Sequence, residues 1–339
     1  MYNLIKKLFP ICRSLTGEGN RKTLKIIKKE VPDLTIKEIK SGTKVFDWVI
    51  PPEWNIKDAY VRDSKKNKII DFKKNNLHLI SYSVPIKKKI KKKELLNHLY
   101  SLPKQPNAIP YITSYYKKYW GFCINHKTKQ KIQASKDKEF DVVIDSSLDK
   151  NGSLSYGEIL IKGKVNKEIL ISTYICHPSL ANNELSGPVV STYLIKYFKK
   201  LNNYYSLRFV FLPETIGSIA YISRNLKKLK KNIIAGYVLT CIGDNNNYSF
   251  LPTKYNNTLS DYAAISAFKN LGLKFKTYSF LERGSDERQY NSPGVDLPIA
   301  SLMRTKYGEY KEYHTSLDNL NFVSEKGLKG GFKLAREAI

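Results

Sequence analysis

The residues most able to do chemistry are two histidines in polar loops. His177 follows the apolar run 168–176, which is typical of a buried strand, and a helix pattern begins at Pro188. Open α/β sheets bind ligands beyond the carboxyl ends of their strands, which is where this pattern puts His177. His314 lies in a comparable segment, 313–318. A single histidine is more often structural, but two among several acidic strand-end residues indicate a metal site.

Five polar sites follow predicted strands in this half of the chain. They are His177 with Asn182, Asn183 and Glu184; Glu214; Asp244; Ser285 and Asp286 with Arg288; and His314 with Tyr313 and Asp318. The carboxyl ends of parallel strands meet at one edge of a sheet, so we expect these sites to share a cleft. Zinc takes imidazole and carboxylate ligands, and a nearby carboxylate can act as general base. The set therefore predicts metal-assisted hydrolysis.

Each of these residues also has a structural interpretation. Glu214 could simply begin a helix at Thr215, near the favourable end of the helix dipole. Asp244 could be an ordinary turn residue, and Asp286 could cap a turn. His314 could likewise lie outside any metal site. We favour a common cleft because all five sites coincide in register at strand ends.

The charge balance favours a solvated surface over a nucleic-acid interface. The net charge is +28, but only 9 of the 58 basic residues are arginines. Surfaces that bind phosphates or bases use arginine as well as lysine, so we interpret the run 86–94 as a solvated face. Nucleic acid is therefore not an expected partner. A nucleic-acid-binding protein remains an alternative on charge alone, and salt-dependent binding to random duplex DNA would test it.

Composition also predicts the cellular location of the protein. No segment approaches about 18 consecutive apolar residues, so we expect no membrane span. The first ten residues lack the apolar core of a secretory signal. The four cysteines, at positions 12, 123, 176 and 241, form no CxxC pair, and we expect reduced thiols in the cytoplasm. The sequence leaves open whether the chain forms a homo-oligomer.

The pattern of elements predicts an α/β protein with a β-rich insert. Residues 1–30 indicate two helices joined by a glycine-containing turn. From about residue 138, strands alternate with helices, which indicates a doubly wound, mainly parallel sheet. The predicted strands are 139–144, 155–161, 169–176, 207–212, 235–242, 275–280 and 297–303, and the predicted helices are 188–201, 216–230, 258–271 and 325–339.

Residues 44–135 differ in character from the rest of the chain. Their β-forming residues cluster between Pro and Asn, and the segment contains all three tryptophans, Trp48, Trp54 and Trp120. We predict a smaller β-rich domain here, inserted into an α/β domain of residues 1–43 and 136–339. We expect the insert to roof or flank the cleft and to exclude long peptides.

Residues 168–320 resemble the zinc aminopeptidases of the M28 type. His177 resembles the first histidine ligand of that family, and the loop 181–187 resembles the signature that carries its bridging aspartate. Glu214 resembles the general base. The Ser285–Asp286 pair and the segment 313–318 resemble two late motifs of the family. The resemblance implies a zinc-exopeptidase fold of the phosphorylase/hydrolase-like type, a zinc cofactor, and a small peptide or aminoacyl amide as substrate.

The whole chain is identified as a member of a bacterial aminopeptidase-like family, DUF4910 with a DUF2172 insert. The segments that carry this resemblance are 13–19, 176–179, 239–244 and 285–290. Members often accompany surface-polysaccharide biosynthesis genes, which implies a link to that process. Many also carry a winged-helix domain after this core, which we expect to be absent from these 339 residues.

Three departures from the M28 pattern bear on the metal. Asn183 stands where the bridging aspartate is usual, Thr215 where a ligating glutamate is usual, and Thr240 where a further aspartate is usual. An amide oxygen neutralises no charge, so we expect about one zinc, held by His177 and His314 with help from Asp244 or Glu184.

The remaining site residues have expected supporting roles. We expect them to bind substrate or to hold the ligands in place, with Asp318 or a backbone carbonyl orienting His314. These residues are Asn183, Ser285, Asp286, Arg288, Tyr313 and Asp318. The alternative is a degenerate peptidase-fold protein that binds a ligand without turnover.

Overall fold

The structure is a computed structural model that describes residues 1–339. Its strands are β1 (Thr35–Lys40), β2 (Lys44–Val45), β3 (Trp48–Val49), β4 (Glu53–Arg62), β5 (Lys68–Asp71), β6 (Ile86–Lys91), β7 (Leu99–Tyr100), β8 (Phe122–Cys123), β9 (Glu139–Asp149), β10 (Ser153–Ile161), β11 (Val165–Tyr174), β12 (Tyr205–Leu212), β13 (Ile233–Leu239), β14 (Ser249–Leu251), β15 (Lys276–Thr277) and β16 (Ile299–Met303). Its helices are α1 (Tyr2–Leu8), α2 (Glu18–Glu30), α3 (Lys92–Asn97), α4 (His126–Ala134), α5 (Ser186–Phe198), α6 (Ile216–Asn232), α7 (Leu259–Asn270), α8 (Glu287–Tyr290) and α9 (Glu325–Ala338).

An eight-stranded sheet carries the candidate site. Its strand order is β1-β10-β12-β11-β13-β16-β14-β15. The four central strands, β12, β11, β13 and β16, are parallel, while β10 and β14 join them antiparallel. The predicted α/β class with a mainly parallel sheet is therefore confirmed. The carboxyl ends of β11, β12 and β13 meet at one edge, as the doubly wound pattern requires.

The central strands are apolar because both faces of the sheet are covered. On β11, Leu170 belongs to one hydrophobic cluster, while its neighbours Ile169 and Ile171 belong to the other. This period-two alternation divides the interior into two layers. Helices α1, α2, α5, α7 and α9 pack in one layer, and α6 packs in the other.

The predicted insert forms a separate four-stranded sheet, in the order β5-β4-β9-β6. The predicted boundary at residue 136 is wrong, because β9 pairs with β4 and β6 instead of joining the large sheet. A short turn at 150–152 then leads directly into β10 of the large sheet. The insert also shares its core with the main body, since Trp54 and Val142 lie in one cluster with Val210 of β12.

None of the helices combines the length and the apolar character needed to cross a membrane.

Candidate active site and metal centre

His177 lies just beyond the carboxyl end of β11, where the sequence pattern predicted it. Its side chain is almost fully buried, and its Nδ1 is 2.8 Å from Glu184 Oε2. That bond leaves Nε2 facing Glu214, with 3.7 Å between Nε2 and Glu214 Oε2. Burial lowers the pKa of His177 to about 3, and the nearby Arg13 charge adds to this effect. The imidazole is therefore neutral, which is the form that binds a metal.

His314 lies close to His177, with 5.4 Å between the ring centroids. Its φ of 53° is unusual for a side chain of this size, and its ring stacks on Tyr313 at 3.9 Å. Its Nε2 is buried and has no hydrogen-bond partner. Burial, reinforced by His177, lowers the pKa of His314 to about 3. Two neutral imidazoles therefore lie side by side, and one nitrogen lacks any protein partner.

Asn183 adds a second unpartnered acceptor. Its Nδ2 donates to Tyr174 Oη at 2.8 Å, while its Oδ1 is buried without a partner. Thr240 Oγ1 donates to the Asn183 carbonyl oxygen at 3.0 Å and also contacts Tyr174 Oη. Asn183 and Thr240, which the sequence resemblance aligns with acidic ligands of the M28 type, therefore belong to a neutral, hydrogen-bonded network.

Glu214 follows β12, and its side chain remains 21 % exposed. Ser285 Oγ donates to its Oε1 at 2.6 Å, which leaves Oε2 directed at His177. Burial raises the pKa of Glu214 to about 8, and the negative charge of Asp286 raises it further. A carboxylate that gains a proton near neutral pH is well matched to proton transfer.

Asp286 supports the backbone next to Glu214. Its Oδ1 accepts from the Thr215 N–H at 2.7 Å and from Ser218 Oγ at 2.8 Å. Thr215 has a φ of 61° and a ψ of −78°, a conformation that requires such external support. Asp286 Oδ2 is buried without a partner. Arg288 reaches the same corner and donates from a terminal nitrogen to Thr215 Oγ1 at 3.2 Å.

Glu184, which we expected as a metal ligand, contacts His177 Nδ1 and Arg13. The Arg13 Nε atom is 3.4 Å from Glu184 Oε1 and donates to the His177 carbonyl oxygen at 3.0 Å. Burial raises the pKa of Glu184, and the guanidinium opposes that rise. Sequence reasoning missed the role of Arg13, although its position in the family segment 13–19 was an available signal; the structure shows it wholly buried. Arg13 and Glu184 thus fix the position and ring orientation of His177.

Asp244 and Asp318, expected as a metal ligand and as a partner of His314, are both hydrogen-bonded to Asn182. Each carboxylate oxygen of Asp244 already accepts two hydrogen bonds, from Asn182, Asn246 and both the N–H and hydroxyl of Thr305. Asp318 accepts from the backbone N–H groups of Asn182 and Asn183 and makes no hydrogen bond to His314. Both residues therefore hold the polar loop that follows His177.

The Asp244→Asn substitution is expected to destabilise the fold without reducing zinc binding. The new amide would present N–H groups to donors that need an acceptor, so we expect a loss of about 1–3 kcal/mol. Urea unfolding would measure the loss of stability, and elemental analysis would measure zinc content. Loss of zinc with unchanged stability would show that Asp244 is a ligand.

A second grouping of metal-binding side chains overlaps the first. Cys176 Sγ, His177 and Glu184 offer donor atoms within 4.8 Å of one another. We favour the Nε2 side of His177, because Nδ1 is already bonded to Glu184. Burial, with Glu184 and Glu214, raises the pKa of the Cys176 thiol well above its usual value. Cys176 Sγ accepts the Glu214 backbone N–H at 3.2 Å and lies 3.4 Å from His177 Nδ1, so this grouping forms a hydrogen-bonded support for His177.

Tyr111, from the segment 44–135, lies beside both histidines. The Tyr111 ring centroid is 4.9 Å from that of His177 and 5.2 Å from that of His314. Its backbone N–H donates to the His314 carbonyl oxygen at 2.8 Å. Tyr111 therefore packs beside both imidazoles and helps to hold the backbone of His314 in place.

Comparisons with known proteins identify the family and the fold of this chain. The DUF4910 family, described as a domain of unknown function, matches residues 2–339. A Clostridium acetobutylicum protein named "Putative polysaccharide biosynthesis protein with aminopeptidase-like domain" is 50% identical over 339 residues, which is 100% of this chain and 76% of that protein. The crystal structure of a "putative peptidase" from C. acetobutylicum, 50% identical, has a TM-score of 0.95 and covers 99% of this chain and 78% of that one.

A more distant structure defines the fold class. The zinc aminopeptidase BSAP from Bacillus subtilis has a TM-score of 0.72 at 14% identity, and the match covers 99% of this chain and 92% of that one. Identity this low shows a shared fold alone. Because the family match and the 50% identical relative both span essentially the whole chain, the chain belongs to the DUF4910 family, and its fold is that of the M28-type zinc aminopeptidases.

Proposed function

We propose that this chain is a zinc-dependent hydrolase of the aminopeptidase type that acts on a small peptide or an aminoacyl amide. The observation that carries the proposal is the grouping of two neutral imidazoles with a carboxylate at one sheet edge. His177 and His314 have ring centroids 5.4 Å apart, and Glu214 Oε2 is 3.7 Å from His177 Nε2. The 50% identical relative is named for an aminopeptidase-like domain, which supports the same reaction class.

Two buried atoms without hydrogen-bond partners favour a bound ion at this site. His314 Nε2 and Asn183 Oδ1 are buried acceptors without a partner, and native proteins rarely leave such atoms unsatisfied unless an ion, water or ligand binds them. Together with His177 Nε2, they would hold the ion. Bound zinc would supply Lewis acidity, which polarises a carbonyl group and lowers the pKa of water.

Glu214 is the general base in this proposal. It accepts a proton from the attacking water and passes it to the leaving amine nitrogen as the C–N bond breaks. The hydroxyl from water remains on the acyl carbon. Ser285 holds one carboxylate oxygen, so the other stays directed toward His177. Such a positioned base is typically worth 10²–10⁴-fold in rate.

Glu184 and Arg13 hold His177 without reaching the substrate. We expect Glu184→Ala to weaken zinc binding by about 10- to 100-fold, the usual cost of losing a partner that orients a metal ligand. Glu168→Ala is the matched control, because Glu168 is also buried and paired with an arginine, Arg208. Zinc competition with a coloured chelator would measure both affinities. Equal affinities in the two variants would remove Glu184 from this role.

The biological setting is part of the proposal. The polysaccharide biosynthesis name of the 50% identical relative supports an aminoacyl-modified sugar as one form of substrate. The four cysteines are unpaired, which supports a reducing compartment such as the cytoplasm.

A panel of aminoacyl 4-nitroanilides, with and without an N-acetyl block, would test the reaction class. We expect hydrolysis of the free aminoacyl compounds, little hydrolysis of the blocked ones, and inhibition by 1,10-phenanthroline but not by its non-chelating 1,7 isomer. If no member of the panel is hydrolysed in the presence of zinc, the proposal is contradicted.

A catalytically degenerate binding protein is the second candidate. It is favoured by the neutral residues Asn183, Thr215 and Thr240, which stand where acidic ligands are usual. This protein would keep the fold, lack bound zinc, and bind its ligand without turnover. Elemental analysis of protein purified without chelators separates the two candidates, because about one zinc per chain supports the hydrolase.

A further inference from the structure

A cleft of 560 Å³ opens beside Thr215, the residue that follows the proposed base. Trp48 of the insert and Phe280 contribute aromatic surface, and Lys254, Arg283 and Arg288 contribute charge. We refer to this hollow as the arginine cleft. It lies where the insert, the start of α6 and the segment around α8 come together.

The arginine cleft is lined by three cations and no carboxylate. Lys254 is paired with Asp296. Arg283 donates only to the Phe280 carbonyl oxygen, at 3.3 Å, and Arg288 only to Thr215 Oγ1, at 3.2 Å. Two guanidinium groups therefore face one hollow without an acidic partner. Concentrated charge of one sign in a concave site attracts a ligand of the opposite sign.

The choice of arginine is informative in this lysine-rich chain. Only 9 of its 58 basic residues are arginines, and two of them line this one cleft. A guanidinium binds carboxylates and phosphates through two parallel hydrogen bonds, whereas an ammonium group acts as a point charge. Arg283 also lies over the Phe280 ring, 4.9 Å from its centroid, which restricts its orientation.

The cleft is joined directly to the candidate active site. Arg288 bonds to Thr215, the neighbour of Glu214, and Ser285 bonds to Glu214 from the segment that carries both arginines. An anionic group held by the two arginines would therefore place the rest of a substrate near Glu214. Trp48 and Phe280 offer apolar surface to the body of such a molecule.

We propose that the arginine cleft binds an anionic group, a carboxylate or a phosphate, carried by the substrate. This inference rests on the proposed function and narrows its substrate class to acidic aminoacyl amides or phosphate-bearing aminoacyl sugars. The two sources share the same chemistry at the guanidinium groups, and separate probes distinguish them.

Isothermal titration of the full chain with L-glutamate and with glucose 1-phosphate tests the proposal. We expect at least one of them to bind the unmodified protein, and the tighter probe identifies the source of the anion. The Arg283→Gln/Arg288→Gln double variant should bind that probe about 10- to 100-fold more weakly, the usual effect of losing charge-assisted hydrogen bonds. Arg224→Gln is the matched control, because Arg224 is exposed on α6 and forms no ion pair.

The outcomes separate this inference from the proposed function. Binding of either probe requires no turnover, so a weakened double variant supports the anion site even if no amide is hydrolysed. Where turnover is found, the double variant should lower kcat/KM for a glutamyl anilide more than for a glutaminyl anilide. Absence of binding to the unmodified protein, or equal binding to the double variant and the Arg224→Gln control, would overturn the proposal.

Discussion

The Glu214→Gln substitution is expected to lower kcat for an aminoacyl amide by roughly 10²–10⁴-fold. Glutamine keeps the shape of the side chain and can still accept the 2.6 Å bond from Ser285. It cannot accept a proton from water at neutral pH. The melting temperature should change little, because the side chain is 21% exposed.

The rate of 4-nitroanilide hydrolysis would measure the effect on kcat, and thermal unfolding would measure the effect on the melting temperature. Glu325→Gln is a suitable control, because Glu325 is 69% exposed and its ion-pair partner is Lys329 of the same helix. Normal turnover by Glu214→Gln would remove Glu214 from the proton-transfer role. An unfolded variant would mean that Glu214 serves the fold.

Removing either imidazole is expected to abolish stoichiometric zinc binding. His177→Ala and His314→Ala should each weaken zinc affinity by more than about 100-fold, beyond the 10- to 100-fold cost of losing an orienting partner. His126→Ala is the control, because His126 bonds to Ser101 within the insert. Elemental analysis and isothermal titration with zinc would measure the result. Full zinc retention in both variants would contradict the assignment.

The same titration tests the consequence of Asn183. Two dications a few ångströms apart repel strongly unless carboxylates neutralise them, and the amide of Asn183 cannot do so. We therefore expect one tight zinc site in the unmodified chain and tighter uptake in the Asn183→Asp variant. Two tight sites in the unmodified chain would show that other residues supply the missing charge.

The positions of the site residues could be predicted from the sequence because they follow from strand polarity. His177 and Glu214 come directly after the buried strands β11 and β12, and parallel strands end at a common edge. His314 was predictable because it is a second histidine in a polar segment of the same half of the chain. The four long helices of that half, α5, α6, α7 and α9, were also predicted within a few residues of their observed ends.

The roles of individual carboxylates could not be predicted, because they depend on partners from distant loops. Asp244 is saturated partly by Thr305, which is 61 residues away, and Arg13 reaches the His177 carbonyl across 164 residues. Spacing along one loop does not determine which way a side chain turns. Glu184 therefore bonds through Oε2 to Nδ1 of His177, on the side of the ring away from Nε2 and Glu214.

The prediction of which sheet β9 belongs to failed for a related reason. A strand such as β9, whose buried and exposed residues alternate, carries the same pattern in either sheet, so its sequence does not reveal its partners. Only the turn at 150–152 shows where the chain passes from the small sheet to the large one. The three-residue strand β14 was not predicted, and the two-residue strand β15 was predicted too long, as 275–280, because so few residues carry no clear pattern.

The most direct test of zinc-dependent hydrolysis is the amide-hydrolysis rate of chelator-treated protein as zinc is added back. We expect no activity without metal, and a rate that rises with added zinc and reaches its plateau at about one zinc per chain. Activity that persists without metal, or no activity at any ratio of zinc to protein, would contradict the account.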